Sequence, residues 1–380
     1  MPLRRIEFFA VAAGFILLWA ILLVSLARPA DLRALNRAAE PRPDFSLLAF
    51  SDADYRARWT GWFTDKLVLA GPAREIDRII EQRLFSDTAD SRVIDGLDGW
   101  LYLNRDHGDV SLLPSGDGAR EAAAIDGVVS ALEALGARGV TARFALAPHK
   151  PGVYPQYLPP ASRERVEAER THRKRLLSQL DGPAGARMID VFDAMAAKAG
   201  AAGLYLKTDT HWSAHGAAVM AEALVDSLAP GLWETAVVAE AGRARFMPDL
   251  VRLQGGEARE DRPVLDVTRP GVQVERAPRP GEGAWIERSR ASGPDGALLG
   301  ELVVIGDSYA NELIPLLAPF FEAVRFVHVQ RLETPEARDA LAGADLVFIQ
   351  IVERHMLTPP PDGLAGLGAR IEAALEDGGS

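Results

Sequence analysis

The apolar, β-branched run Leu302-Val303-Val304-Ile305 stops abruptly at Gly306-Asp307-Ser308 and passes into a helical pattern that reaches Phe321. A strand that is apolar at every position offers no face to water, so it belongs in a sheet covered on both sides. The same rhythm recurs along the chain. Thr141 to Ala147, Arg187 to Val191, Val324 to Val329 and Leu346 to Val352 read as strands. Helical patterns cover Ala119 to Leu135, Ser162 to Leu180, Ser213 to Leu228, Pro335 to Leu341 and Leu367 to Leu375. Strands alternating with helices predict an α/β fold built on a doubly wound parallel sheet. Val93 to Leu103 adds a strand–turn–strand unit around Asp95-Gly96-Leu97-Asp98-Gly99, and Leu204 to Lys207 reads as one further short strand. From Trp233 to Gly296 proline, glycine and arginine rise and helical period is lost, which predicts an irregular, β-rich insertion over 233–296.

In doubly wound folds ligands gather at the carboxyl ends of the strands. Ser308, Lys150 and Arg354 all follow closely after predicted strands, and His211 follows the short one. A serine at a strand-to-helix junction sits beside unpaired N–H groups at the positive end of a helix dipole. Those groups can hold the negative charge that develops when a hydroxyl attacks an ester carbonyl. Ser308 is the candidate nucleophile, and its own backbone N–H a candidate oxyanion donor. The competing reading of Gly306-Asp307-Ser308 is a plain helix cap.

A serine hydroxyl needs a base within hydrogen-bond reach. Asp209-Thr210-His211-Trp212 supplies one: His211 as base and Asp209 to hold its ring in the right tautomer. Against this, Asp209 or Thr210 could instead cap the helix that starts near Trp212, leaving His211 on the surface. His215, four residues after His211, opens a metal reading through Asp209, His211 and His215; the predicted site contains no metal. Lys150 and Tyr154, in the proline-bound loop Pro148-His149-Lys150-Pro151-Gly152-Val153-Tyr154-Pro155, are substrate-binding candidates, with Trp212, Tyr309 and Arg354.

The chain has 380 residues and a net charge of −11, which speaks against generic nucleic-acid binding. It has no cysteine, and so no disulfide, thiolate nucleophile or iron–sulfur ligand. Arg4 and Arg5 precede an uncharged run from Phe8 to Ala27, about 20 residues and long enough to cross a bilayer as a helix. The two arginines place the N-terminus in the cytoplasm and the rest beyond the membrane. Removal of the run at Ser25-Leu26-Ala27 is the alternative.

Taken together, these blocks resemble the AlgJ/AlgX-type polysaccharide O-acetyltransferases, whose catalytic domain is SGNH-hydrolase-like. Asp98-Gly99-Trp100-Leu101-Tyr102 is similar to the family's early Gly-Trp-Leu-Phe block. Ala147-Pro148-His149-Lys150 with Tyr154-Pro155 and Leu158-Pro159 is similar to its Pro-x-Lys segment. Asp209-Thr210-His211-Trp212-Ser213 and Gly306-Asp307-Ser308-Tyr309 are similar to its catalytic blocks. The Asp-x-His pair precedes the serine, as in the circularly permuted arrangement of this family.

The resemblance implies a triad of Ser308, His211 and Asp209, no cofactor, and acetyl transfer to exopolysaccharide hydroxyls such as those of alginate. It also implies a periplasmic domain tethered to the inner membrane. Partners would be the polymer, a membrane-bound O-acyltransferase that relays acetyl groups, and other polysaccharide synthesis and export proteins. The implied organisation is a signal anchor at 1–30, a tether at 31–69, the SGNH-like domain at 70–360 and a C-terminal helix and tail at 361–380, closer to AlgJ-like members than to AlgX. A carbohydrate acetyl esterase with the same triad, a metal-dependent hydrolase and a non-catalytic scaffold of an export complex are the alternatives.

Overall fold

The computed structural model describes residues 92–104, 118–277 and 286–377, together with Tyr55 and Trp59. The chain divides into two compact units, 1–88 and 89–380. The predicted anchor at 8–27 and nearly all of the tether lie outside the described residues. Among the described residues no helix is long and apolar enough to cross a membrane.

The second unit is an α/β fold around a seven-stranded sheet. Its strands are β3 (Thr141–Ala147), β4 (Met188–Ile189), β7 (Gln273–Arg276), β8 (Glu287–Ser292), β9 (Leu302–Gly306), β10 (Ala323–His328) and β11 (Leu346–Val352). The order is β4-β3-β11-β9-β10-β8-β7. The first five strands run parallel; β8 pairs antiparallel with β10, and β7 antiparallel with β8. The sheet is therefore mixed, where the sequence predicts a parallel one. The link from β7 to β8 is shorter than the dozen or so residues that a crossover needs, so the strand can only return antiparallel. The stretch 233–296 is accordingly part of the main sheet at its far edge. It also contributes a separate ribbon of β5 (Val237–Phe246) and β6 (Glu260–Thr268). The early strand–turn–strand unit is present as β1 (Val93–Asp95) paired with β2 (Leu101–Leu103).

Alternation along the strands sends side chains into two apolar layers. Leu302 and Val304 of β9 pack in one layer with Trp212, Tyr309, Phe320 and helices α4 (Ala214–Leu228) and α5 (Ala310–Leu317). Val303 and Ile305 pack in the other with Phe144, Leu132, Leu341 and Ile371. The second layer is covered by α1 (Gly118–Ala137), α6 (Pro335–Ala342) and α7 (Leu367–Asp377). Helix α2 (Pro160–Leu177) gives Val166 to the first layer and Leu176 to the second. Full burial on both faces explains why β9 tolerates no polar residue.

Two details differ from the sequence reading. Phe192–Ala202 forms a helix, α3, ended by Gly203 in the left-handed region at φ 55°. Its alanine-rich composition favours a helix, but its small side chains blur the apolar period. The short strand expected at Leu204 to Lys207 is absent. A single antiparallel bridge joins Tyr205 to Trp212, folding the segment between them into a turn. That turn carries Asp209 and His211.

Candidate active site

Three loops meet at the carboxyl edge of the sheet. The first is the turn closed by Tyr205 and Trp212; the second follows β9; the third follows β11. Gly306 ends β9 where a side chain has no room. A Cβ there would lie 2.9 Å from the Gln350 carbonyl of β11 and 3.3 Å from the Ala310 Cβ. This close approach lets the chain turn at once into α5.

Asp307 then fixes the turn. Its buried carboxylate accepts the N–H of Tyr309 at 3.0 Å and of Val352 at 2.8 Å, with His355 Nδ1 at 3.5 Å. Burial opposes its charge, but His355 and the two N–H groups outweigh this and hold the carboxyl below the usual range. The Ala310 and Asn311 N–H groups go to the carbonyls of Asp307 and Ser308. Among the described residues no partner takes the N–H of Ser308.

Ser308 lies half-buried at the tip of this turn, with its Oγ 2.8 Å from His211 Nε2. On the other side of the ring, His211 Nδ1 is 2.7 Å from Asp209 Oδ1, which also accepts the His211 backbone N–H at 2.8 Å. Asp209 Oδ2 accepts the N–H of Asp249 at 2.8 Å. Hydroxyl, imidazole and carboxylate are therefore in line. The capping alternative falls to a neighbour: the Oγ of Ser213 accepts the N–H groups of His215 and Gly216 at the start of α4. Asp209 is thereby left to the histidine.

The His211 side chain is 19 % exposed. Burial works against its protonation, but the bond and charge of Asp209, with the charge of Asp249, raise it above its ordinary 6.5. Asp209 is driven the other way. Its burial penalty is overcome by the hydrogen bond and charge of His211 and by the two backbone N–H groups, so it stays ionised far below the usual range.

The serine and histidine loops are tied to each other one residue along. The Trp212 indole N–H donates to the Tyr309 carbonyl at 2.9 Å, and the Tyr309 hydroxyl donates to the Thr210 carbonyl at 2.5 Å. Arg354, half-buried, donates to the same hydroxyl at 2.9 Å.

Four of the five substrate-binding candidates thus lie behind the site rather than in its mouth. Trp212 and Tyr309 are fully buried. The hydroxyl of Tyr154, itself buried, donates to the Ala199 carbonyl and accepts the Leu204 N–H. Lys150 is 2 % exposed, and its Nζ donates to the carbonyls of Leu206, Lys207 and Asp209 at 3.0, 2.9 and 2.7 Å. It lies 5.5 Å and 5.2 Å from the ring centroids of Trp100 and Tyr102. A proline-bound loop suggested a displayed cation. The three carbonyls instead draw that cation inward, where burial pushes it down to about 7 against the pull of Asp209, Asp249 and Glu260.

Among the described residues, ligand-type atoms of Asp209, His211 and Asp249 lie within 4.8 Å of one another. His215 is outside this group. Metal–ligand bonds of about 2.0–2.2 Å set neighbouring ligands more than 3 Å apart, whereas Asp209 Oδ1 and His211 Nδ1 are 2.7 Å apart. That spacing suits a shared proton and not an ion. Asp249 is the site residue that the sequence did not reveal. It stands in the irregular stretch, after Pro248 and at the start of the short helical turn Asp249–Leu253, with nothing local to separate it from an ordinary first-turn acid.

The O-acetyltransferase domain of Pseudomonas putida AlgJ is 19% identical, with 73% of this chain and 98% of that one covered and a TM-score of 0.46. Pseudomonas aeruginosa AlgX is 13% identical, with 73% and 67% covered and a TM-score of 0.49. Bacillus cereus PatB1, solved with a sulfonyl adduct, is 15% identical, with 71% and 98% covered and a TM-score of 0.46. No curated protein matches the chain. Residues 93–310, which hold all three members of the aligned triad, match the family model described as the SGNH hydrolase-like domain, acetyltransferase AlgX, and the chain belongs to that family.

Proposed function

We propose that this protein is a periplasmic O-acetyltransferase that carries an acetyl group on Ser308 and delivers it to hydroxyls of an exopolysaccharide. The observation that carries the reading is the 2.8 Å contact between Ser308 Oγ and His211 Nε2, with Asp209 on the opposite nitrogen. Ser308 Oγ attacks the acetyl carbonyl of a donor ester as His211 Nε2 takes its proton. The oxyanion is held by the Ser308 N–H, and Asp209 steadies the imidazolium. His211 returns the proton to the departing alcohol, leaving acetyl-serine. A sugar hydroxyl then gives its proton to His211 and attacks the same carbonyl; the bond to Ser308 Oγ breaks, and His211 returns the proton to that oxygen. The donor side falls to a membrane-bound O-acyltransferase, and the run from Phe8 to Ala27 tethers the domain on the far side of the inner membrane. Family membership supports acetyl transfer; the polymer and the location extend from the resemblance and from the two arginines before the apolar run.

The test uses the full chain with an activated acetyl ester, with and without oligosaccharide. Ser308→Ala is expected to lose at least about 10³-fold in acetyl release, with an unchanged unfolding temperature, and the wild type to show a mass increase of one acetyl group on the Ser308 peptide. Acetylated sugar as product supports transfer; acetate alone, at a rate indifferent to sugar, makes the protein an esterase. Retained activity in folded Ser308→Ala refutes the mechanism.

A further inference from the structure

We propose that Asp249 is a positioning residue of this site, a second carboxylate that holds the Asp209–His211 turn in register and adds its charge behind His211. The inference rests on the triad reading above. Asp249 reaches the turn with three groups. Its Oδ1 accepts the Thr210 N–H at 2.7 Å, its Oδ2 accepts the Thr210 hydroxyl, and its own N–H donates to Asp209 Oδ2 at 2.8 Å. Its Oδ2 lies 3.6 Å from His211 Nδ1, and its side chain is 13% exposed. Leu250, fully buried next to it, anchors the segment.

These contacts bracket the histidine. Thr210 is held at its N–H and its hydroxyl by Asp249, and at its carbonyl by Tyr309. Both neighbours of the peptide that sets the His211 backbone are thus fixed from different parts of the fold. The backbone N–H of Asp249 occupies the second oxygen of Asp209, so the first oxygen points at the ring. A second negative group 3.6 Å away also favours the imidazolium formed when Ser308 gives up its proton.

His211 is faced by Asp209 on its own turn, by Asp249, by Ser308 and Tyr309 after β9, by Glu312 in the first turn of α5, and by Arg354 after β11. Asp249 itself also feels Asp209 and the cation of Lys150. Of these, Asp209 and Asp249 raise His211 and Arg354 lowers it. Removing the Asp249 charge leaves Arg354 less opposed, so the proton leaves His211 more readily.

The experiment compares Asp249→Asn and Thr210→Val with the wild type and Ser308→Ala, all as full chains, on an activated acetyl ester. Asp249→Asn keeps the shape and removes the charge. It is expected to lower kcat about tenfold or more with KM within about twofold. The acid limb of its rate profile moves to lower pH, a change that looser packing alone does not produce. Thr210→Val removes only the hydroxyl arm and is expected to lower kcat about threefold with the limb in place. A wild-type kcat and an unmoved limb in Asp249→Asn overturn the proposal. If Asp249→Asn does not fold, a wild-type kcat in Thr210→Val overturns it instead. Ser308→Ala separates the two readings: if it remains active the triad reading fails, and if it is dead while Asp249→Asn is normal only this inference fails.

Discussion

Lys150 offers the sharpest test of how the site is held, because the structure makes it a fastener and not a contact for substrate. Consider Lys150→Met, which keeps the apolar stem of the side chain and deletes the ammonium. Three carbonyls, those of Leu206, Lys207 and Asp209, lose their donor at once, the Asp209 one buried and the other two partly so. A buried acceptor left without a partner costs about 1–3 kcal/mol; the Asp209 carbonyl carries that cost and the two partly buried ones, which water reaches, add less, for a ceiling of roughly 5 kcal/mol. Weak cation–π contacts with Trp100 and Tyr102 are lost as well. Against this, methionine avoids the several kcal/mol needed to strip water from an ammonium. The balance is a loss of roughly 2–4 kcal/mol, or a fall of about 3–7 °C in the unfolding temperature for a unit of this size. The carbonyl released with the shortest bond belongs to Asp209, so the orienting carboxylate loosens with its own main chain. kcat is therefore expected to fall by about tenfold or more while KM holds. Calorimetry and ester turnover on the same preparation measure both. If Lys150→Met melts within 2 °C of the wild type, a margin under the estimate, and keeps its kcat, the reasoning is wrong: the carbonyls would have found other donors.

Two further substitutions probe the serine turn. Gly306→Ala places a methyl group against the Gln350 carbonyl and the Ala310 Cβ; a loss of about 1–3 kcal/mol in denaturant unfolding is expected, with a larger proportional loss in ester turnover because Ser308 shifts. Asp307→Asn tests a linkage whose sign is fixed. The folded carboxyl is held below its unfolded value, so its contribution is present at neutral pH and is lost as acid protonates it. The stability gap between wild type and Asp307→Asn should therefore narrow as the pH falls below about 4; a constant gap in acid-unfolding curves counts against it.

The sheet was legible because β9 is apolar on both faces and β11 is so at every position but Gln350, a pattern that a covered central strand satisfies. The pairing of Ser308 with His211 and Asp209 was legible because each sits beside a recognisable boundary. Less could be read where polarity did not report position. Lys150 is a charged residue in a loop, and nothing in its neighbours announces that three carbonyls await it. Tyr154, Trp212 and Tyr309 are amphipathic rings whose polar atoms find main-chain partners inside, so type alone could not place them at a surface. Asp249 is a lone acid in a stretch without period; its value comes from contacts with a turn 40 residues earlier in the chain. The antiparallel edge was hidden for a related reason, since strand direction is set by the length of the connection and not by the strand.

The bonds from Trp212 to the Tyr309 carbonyl and from Tyr309 to the Thr210 carbonyl have a consequence for how such a centre tolerates change. They form a jig: hydroxyl and base are registered to each other by their immediate chain neighbours, while Asp249 and Lys150 hold the histidine turn from behind. Drift of the surrounding helices would carry base and hydroxyl together and leave their spacing intact. Divergence in the outer shell of the domain is then cheap, whereas an error at either adjoining ring is felt at once as misalignment.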